Sequence, residues 1–359
     1  MKLKTNLIIL GILLLALVAV PSCSNKIISY TRCNNKLDNI TKKIFNKNDI
    51  NRVNLYNNWK LLIPCNYTHA ERELRNLNYL NSNQLIYAIT GMDKMVGKDQ
   101  LWYHFEKKFG RNITKKYLPN TYLLRLENHM WLFQNNYRRD NMYILKKNIQ
   151  RKKGLKLTSD LNEILLAKNK KYIIVQDYIR DIYLINNRKV NLRAYLLVTC
   201  HRGVTKFYFS KLGKCIYANK DYEKNSKNEE SHITSLNLNL DIYKKNPLTF
   251  AELKKFLGNS RYNRLFNKML EIIRKFKAVF SDLICKNSKF ANNLSFQLFG
   301  LDFIFNRHFT PLLLELNKGP QMIHYNKRDF GMKEKLINEV LNIVGVYTNS
   351  NNTNNFILV

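Results

Sequence analysis

Residues 295–320 read SFQLFGLDFIFNRHFTPLLLELNKGP, and the alternation within this stretch decides how the rest of the chain is read. Two β-rich runs, residues 296–305 and 311–316, flank a short polar tip at Asn306, Arg307 and His308, the pattern of an antiparallel hairpin. Pairing centred on that tip sets Asp302 opposite Glu315. Side chains alternate with a period of two, so Asn317 falls on the same side as Glu315. Two carboxylates and an amide carbonyl on one face form an oxygen-only ligand set of the kind that suits Mg²⁺, which keeps some water and completes its shell with substrate phosphates. A pair of surface charges on an edge hairpin is the plain alternative. Both carboxylates sit inside apolar runs, LDFIF and LLLELN, where a charge needs a partner or a metal, and this favours the metal site.

The chain has 359 residues with 60 Lys and Arg against 26 Asp and Glu, a formal net charge of +34, and 45% hydrophobic residues. Length and apolar content allow a real core and exclude wholesale disorder. The charge predicts attraction to polyanions: a Glu-rich protein tail, an anionic membrane surface or, as a lesser expectation, nucleic acid. A solvated Lys-rich surface without a dedicated partner accounts for it equally well. None of the six cysteines forms a CxxC or zinc-type spacing, so a structural zinc site is not expected; Cys23, Cys33 and Cys65 are able to pair if their segment is extracellular. Behind Lys2 and Lys4, the uncharged apolar run 7–20 ends at Pro21-Ser22-Cys23, the shape of a signal peptide. It is short for a span of ~20 residues. Residues 1–23 are therefore expected to be a signal peptide or a short membrane anchor. Membrane association follows, with the folded domain facing the cytosol and the secretory lumen as the other placement.

Residues 24–58 are polar and weakly periodic and read as a spacer, with folded structure starting near Trp59. A helix over 69–80 is expected, capped by Thr68 with Glu71 completing a capping box. A strand over 84–90 and a helix over 98–109 follow. Strand-like runs cover 141–146, 172–177, 190–199 and 205–210, and residues 218–246 read as loop. Thr249 with Glu252 caps the next helix, and a long helix over 260–285 carries the apolar stripe Leu265, Met269, Ile272, Ile273 and Phe276. The last helix spans 332–344, before a tail from 348 to 359.

The motifs PNTYLL at Pro119, MYILKK at Met142, RKKGLKL at Arg151, VQDYI at Val175, RKVNLRAYLLV at Arg188, SHITS at Ser231 and the FGLDFIF/LLLELNKGP hairpin are each weak alone. In this order, from about Trp59 to the last helix, the chain resembles the tubulin-tyrosine ligase family of ATP-grasp enzymes. The resemblance implies an α+β fold of the ATP-grasp type, with an N-terminal subdomain over 59–140, a central one over 141–185 and a C-terminal one over 186–347. ATP would lie between the central and C-terminal subdomains. Lys146, Lys153 and Gly154 would hold its phosphates, Gln176, Tyr178 and Ile179 would form the adenine hinge, and Asp302, Glu315 and Asn317 would hold Mg²⁺. Lys189 and Arg193 would line the cleft at the transferring phosphoryl group.

The implied activity is ATP-dependent ligation of a free amino acid to an acidic protein tail, such as that of tubulin, through an acylphosphate. His232 reads as a turn residue. Against the family pattern, Lys147 stands where a proline is expected, Asn191 for an aspartate, Ser235 for an asparagine, Gln297 for a glutamate and Cys215 for an arginine, whose charge Lys220 would supply. These departures leave a second reading: a catalytically impaired basic relative acting as a binding or structural protein.

Overall fold

The computed structural model describes residues 28–33, 37–54, 58–77, 80–149, 154–226, 228–234, 236–286, 288–347 and 354–359. The leader, Lys153 and Ser235 lie outside the described residues. Among the described residues no helix is long and apolar enough to cross a membrane.

Two sheets face each other. The larger is mixed: its antiparallel half runs Phe356–Leu358, Val204–Tyr217, Arg188–His201, Ser295–Phe305, with Pro311–Lys318 paired on the last of these. Its parallel half adds Leu85–Ile86, Leu61–Leu62, Ser29–Thr31 and Asn51–Val53. The smaller sheet is antiparallel, in the order Thr121–Leu123, Ile174–Asp177, Tyr143–Lys146, Leu155–Thr158. Together they form the α+β architecture expected of an ATP-grasp chain.

The central strands Arg188–His201 and Ser295–Phe305 are covered on both faces, which is why they read as near-continuous apolar runs. Helices Asn259–Phe280 and Lys98–Phe109 pack on one face, where Phe105, Phe276, Phe280, Phe299 and Leu301 share a core. Helix Lys327–Ile343 packs on the other, against Leu298 and Phe296. The small sheet has its own core around Phe133 of helix Glu127–Asn136.

Several expected elements need correction. The segment 24–58 is not a spacer throughout: it holds strands Ser29–Thr31 and Asn51–Val53 and helix Asn39–Lys47. Asp38 caps that helix, and its Ile40, Ile44 and Phe45 bury against helix Lys327–Ile343. The helix after Thr68 is shorter than expected and differently capped: Asn66 accepts from Thr68 N, the helix proper is Ala70–Asn76, and Glu71 reaches Asp93 N instead. The tail is not free either, since Phe356–Leu358 pairs with Val204–Tyr217. By contrast, helix Lys98–Phe109 has the expected bounds, and Thr249 accepts from Glu252 N as a cap.

Candidate active site

The hairpin registers as its alternation requires, with Asp302 paired with Glu315 and Gly300 with Asn317. A bulge follows between Asp302 and Phe303, whose partners jump from Glu315 to Leu313. That extra residue, Leu314, switches the parity of the strand. Leu313 points into the core, while Leu314, Glu315 and Asn317 all line a cleft of about 960 Å³ between the two sheets. Lys146, Tyr178, Lys189, Asn191, Arg193 and Asp302 line the same cleft.

Arg193 lies beside Asp302 on the neighbouring strand and grips it with two nitrogens, Nε to Oδ1 at 2.5 Å and Nη2 to Oδ2 at 3.0 Å. Gly300 makes room for it; a Cβ there would stand 3.1 Å from Arg193 Cδ. Asn317 Nδ2 donates to Glu315 Oε1 at 3.3 Å, leaving its carbonyl available. Burial, with Glu315 adding to it, pushes the Asp302 carboxyl up against the pull of Arg193. Glu315 is also buried, but Lys98 and Lys146 overcome that and hold its carboxyl below the usual range. Among the described residues no three His, Cys, Asp or Glu side chains cluster as a metal site. The donor set is instead two carboxylates and an amide, hard oxygen ligands that fit Mg²⁺.

Two lysines, Lys146 and Lys98, act on Glu315, and Lys189 lines the same cleft beside Lys146. Burial lowers Lys146 to about 8, with Glu315 opposing. Burial, and then Lys146, lowers Lys189 to about 7. Lys98, which the motif order did not mark, is lowered by burial despite Glu315, and its Nζ donates to Lys147 O at 3.2 Å and Ile149 O at 2.6 Å. It thereby ties the start of helix Lys98–Phe109 to the loop joining strands Tyr143–Lys146 and Leu155–Thr158. A lysine opening a helix carried no signal of this; its contact with the loop exists only after folding.

The hinge residues divide. Tyr178 lines the cleft and accepts from Lys189 Nζ at 3.1 Å, while its hydroxyl donates to His232 Nδ1 at 2.8 Å. His232 Nε2 carries the proton, because its partner at 2.7 Å is the Ser226 carbonyl, which only accepts. His232, expected as a turn residue, is therefore the buried end of a hydrogen-bonded chain reaching Lys189. Gln176 and Ile179 do not line the cleft, and Gln176 Nε2 donates to Thr121 Oγ1 at 2.8 Å, within the small sheet. Gly154 does not line it either. It closes the strand pair, with φ +83° and Lys147 N donating to its carbonyl at 2.8 Å.

The departures sort by position. Lys147 points outward over Tyr172, 4.9 Å from the ring centre. Gln297 is buried in the sheet, its amide bonded to Leu298 O. Cys215 faces the core, and it is its neighbour Ile216 that lines the cleft. Lys220 does not supply a cleft charge; it pairs with Glu230 outside the cleft at 3.5 Å. Among the departures at described residues only Asn191 changes the cleft itself: its Nδ2 donates to Thr234 Oγ1 at 3.1 Å, and its buried Oδ1 finds no partner among the described residues.

The sequence model described as tubulin-tyrosine ligase family matches residues 75–354. A probable tubulin polyglutamylase of Caenorhabditis elegans is 23% identical over 74% of this chain and 69% of its own length. A tubulin glycylase of Tetrahymena thermophila is 29% identical over 56% of this chain and 20% of its own length. A mouse tubulin polyglutamylase is 24% identical over 82% of this chain. The chain spans only 20% of the glycylase and 34% of the mouse protein.

Proposed function

The chain belongs to the tubulin-tyrosine ligase family, and from that premise we propose that it is an ATP-dependent ligase that joins an amino acid to an acidic protein acceptor, through an acylphosphate. What supports this reading most is one arrangement: Asp302, Glu315 and Asn317 share a cleft with Lys146, Lys189 and Arg193, between the two sheets.

In this reading a carboxylate oxygen of the acceptor attacks the γ-phosphorus of ATP, and ADP departs. The amine of the donor amino acid then attacks the acyl carbon, the bond to phosphate breaks, and an amide forms. Asp302, Glu315 and the Asn317 carbonyl would hold Mg²⁺, which when bound offsets phosphate charge. Lys146 and Lys189 supply further positive charge where phosphate oxygens would lie, and Arg193 aims Asp302 and opposes the burial that favours its protonated form. Tyr178 fixes the Lys189 ammonium. The chain's charge of +34 suits an acceptor rich in glutamate, as the names of the polyglutamylase and glycylase relatives suggest for tubulin.

The second reading, a relative that binds nucleotide without turnover, rests on Asn191 between Lys189 and Arg193 with its unpartnered oxygen. Purified protein incubated with Mg·ATP, radiolabelled amino acids and a panel of acidic and neutral peptides separates the two. Label transferred to acidic peptides, with ADP released, supports the ligase. Nucleotide binding without transfer to any peptide supports the second reading.

A further inference from the structure

Four cysteines stand in two pairs. Cys33, past the strand Ser29–Thr31, and Cys65, before the turn Tyr67–His69, are bonded with Cα atoms 5.4 Å apart. Cys200, near the end of the central strand Arg188–His201, and Cys285, past the long helix, are bonded with Cα atoms 5.8 Å apart. Both spacings suit a disulfide. Among the described residues Cys215 alone is free, and it is buried.

The first pair lies in a built junction that leads to the cleft. Arg32 Nη2 donates to Cys65 O at 3.1 Å, and Arg52 Nη2 to Cys33 O at 3.0 Å. The Glu73 carboxylate accepts from Cys65 N at 2.7 Å and Asn66 N at 3.0 Å. Two residues after Cys65, the Tyr67 ring occupies the space where any side chain at Gly319 would fall, and Gly319 adopts φ +67°. Thr68 O accepts from Lys318 Nζ at 3.2 Å, and Lys318 also pairs with Asp93. Lys318 and Gly319 directly follow Asn317. The turn that Cys65 opens is thus the wall behind the end of the hairpin.

We propose that the Cys33–Cys65 disulfide, by tying the end of strand Ser29–Thr31 to the Tyr67 turn, braces the Asn317 end of the hairpin, so that nucleotide binding depends on oxidation. Two S–H bonds break and one S–S bond forms. Two protons leave, and two electrons pass to an oxidant of the disulfide class, an oxidised dithiol protein or glutathione disulfide, which becomes two thiols. Cys200 and Cys285 are joined by the same exchange. Such bridges form and persist in oxidising compartments.

The bridge itself is independent of the ligase reading; its effect on nucleotide binding rests on that reading. The test uses the full chain expressed through a secretory pathway, acid-quenched and then unfolded in denaturant with a thiol-blocking reagent. Non-reducing peptide mapping is expected to recover Cys33 linked to Cys65 and Cys200 linked to Cys285, with Cys215 blocked as a thiol. Mg·ATP affinity is then measured before and after reduction. The expected result is a several-fold loss on reduction in the parent, and no further loss in the Cys33→Ser/Cys65→Ser double variant, which already binds like the reduced parent. Should the variant not fold, the parent with and without reductant carries the comparison. Cys33 and Cys65 recovered as blocked thiols in a protein that binds Mg·ATP overturn the proposal and leave the ligase reading intact. A mapped bridge with equal affinity in both redox states overturns the brace. A mapped bridge with no Mg·ATP binding in either state overturns the brace together with the ligase reading.

Discussion

Arg193 and Asp302 are held side by side on adjacent strands and joined by two hydrogen bonds, 2.5 and 3.0 Å long, in the buried wall of the cleft. A buried pair of this kind is costly to break from one side, because the remaining charge loses its partner while still shielded from water. Arg193→Met leaves Asp302 facing Glu315 without that cation. The expected loss is about 3–5 kcal/mol of unfolding free energy, read by denaturant titration. Arg193→Lys keeps the charge but not the two-pronged fork, so it recovers only part of that loss.

Glu315 is flanked by Leu314 and Leu316, and Leu316 anchors the strand in the core. Glu315→Gln removes a charge without changing shape, so the hairpin survives. Turnover with Mg·ATP is expected to fall by about 100-fold or more, the scale of losing one transition-state charge contact. Circular dichroism should match the parent, while thermal stabilisation by Mg·ATP is lost. Unchanged turnover at limiting Mg²⁺ removes Glu315 from the metal set.

Lys189 at about 7 and Lys146 at about 8 are both lowered chiefly by burial. In the unfolded chain lysines keep their protons to about pH 10.4. Between the two limits the unfolded state binds more protons, so the stability of the nucleotide-free protein rises with pH across roughly pH 7 to 10. Below pH 7 both states are protonated and the cost of two buried cations is fully present. Phosphate oxygens in the cleft reverse the balance by favouring the charged lysines. Mg·ATP binding at pH 8 is therefore expected to take up about one proton or more, measured by calorimetry in buffers of different ionisation enthalpy. Binding heats that do not depend on the buffer contradict the placement of phosphates against these two lysines.

Lys98 joins its helix to the carbonyls of Lys147 and Ile149, at the root of the loop expected to close on phosphate. Lys98→Ala frees that root and removes a charge opposite Glu315. Each lost hydrogen bond from a charged group is worth about 1.5–3 kcal/mol, so Mg·ATP affinity is expected to drop by roughly tenfold or more, by equilibrium binding. Unfolding free energy is expected to fall as well, by about 1 kcal/mol or more, since both bonds are already made in the nucleotide-free protein.

The register of Asp302 with Glu315 was legible because a polar tip between two apolar runs leaves one centre for the pairing. The bulge at Leu314 was not: in LLLEL a leucine satisfies either face, so the change of parity leaves no mark in the sequence. Trp102, Phe105 and Phe109 recur at helical spacing, which made helix Lys98–Phe109 legible. Helix Asn39–Lys47 was not, because Ile40, Ile44 and Phe45 stand in a Lys/Asn background and become a stripe only when docked on helix Lys327–Ile343. The contact of Tyr178 with His232 joins residues 54 apart in sequence, and no local period encodes it. The identity of the cleft lysines was carried by motif order alone, whereas Lys98 lies outside every motif used.

Asn191 is the position where this cleft departs from the aspartate that the family resemblance leads one to expect. Its amide donates to Thr234, and its buried oxygen accepts from nothing among the described residues, so one side of the group already behaves as an unfilled acceptor site. Asn191→Asp places a carboxylate of nearly the same shape between Lys189 and Arg193. A negative charge there favours the protonated form of Lys189, so its pKa should rise from about 7, by about one unit or more. The acidic limb of the pH–rate profile stays in place and the alkaline limb moves up, because the charged lysine persists to higher pH. If the parent is a slow ligase limited at this position, turnover above pH 7 should increase in the same variant with little change in peptide KM. A variant that shifts the lysine titration yet gains no turnover locates the limitation elsewhere in the cleft, with the apolar wall at Ile216 the next residue to change.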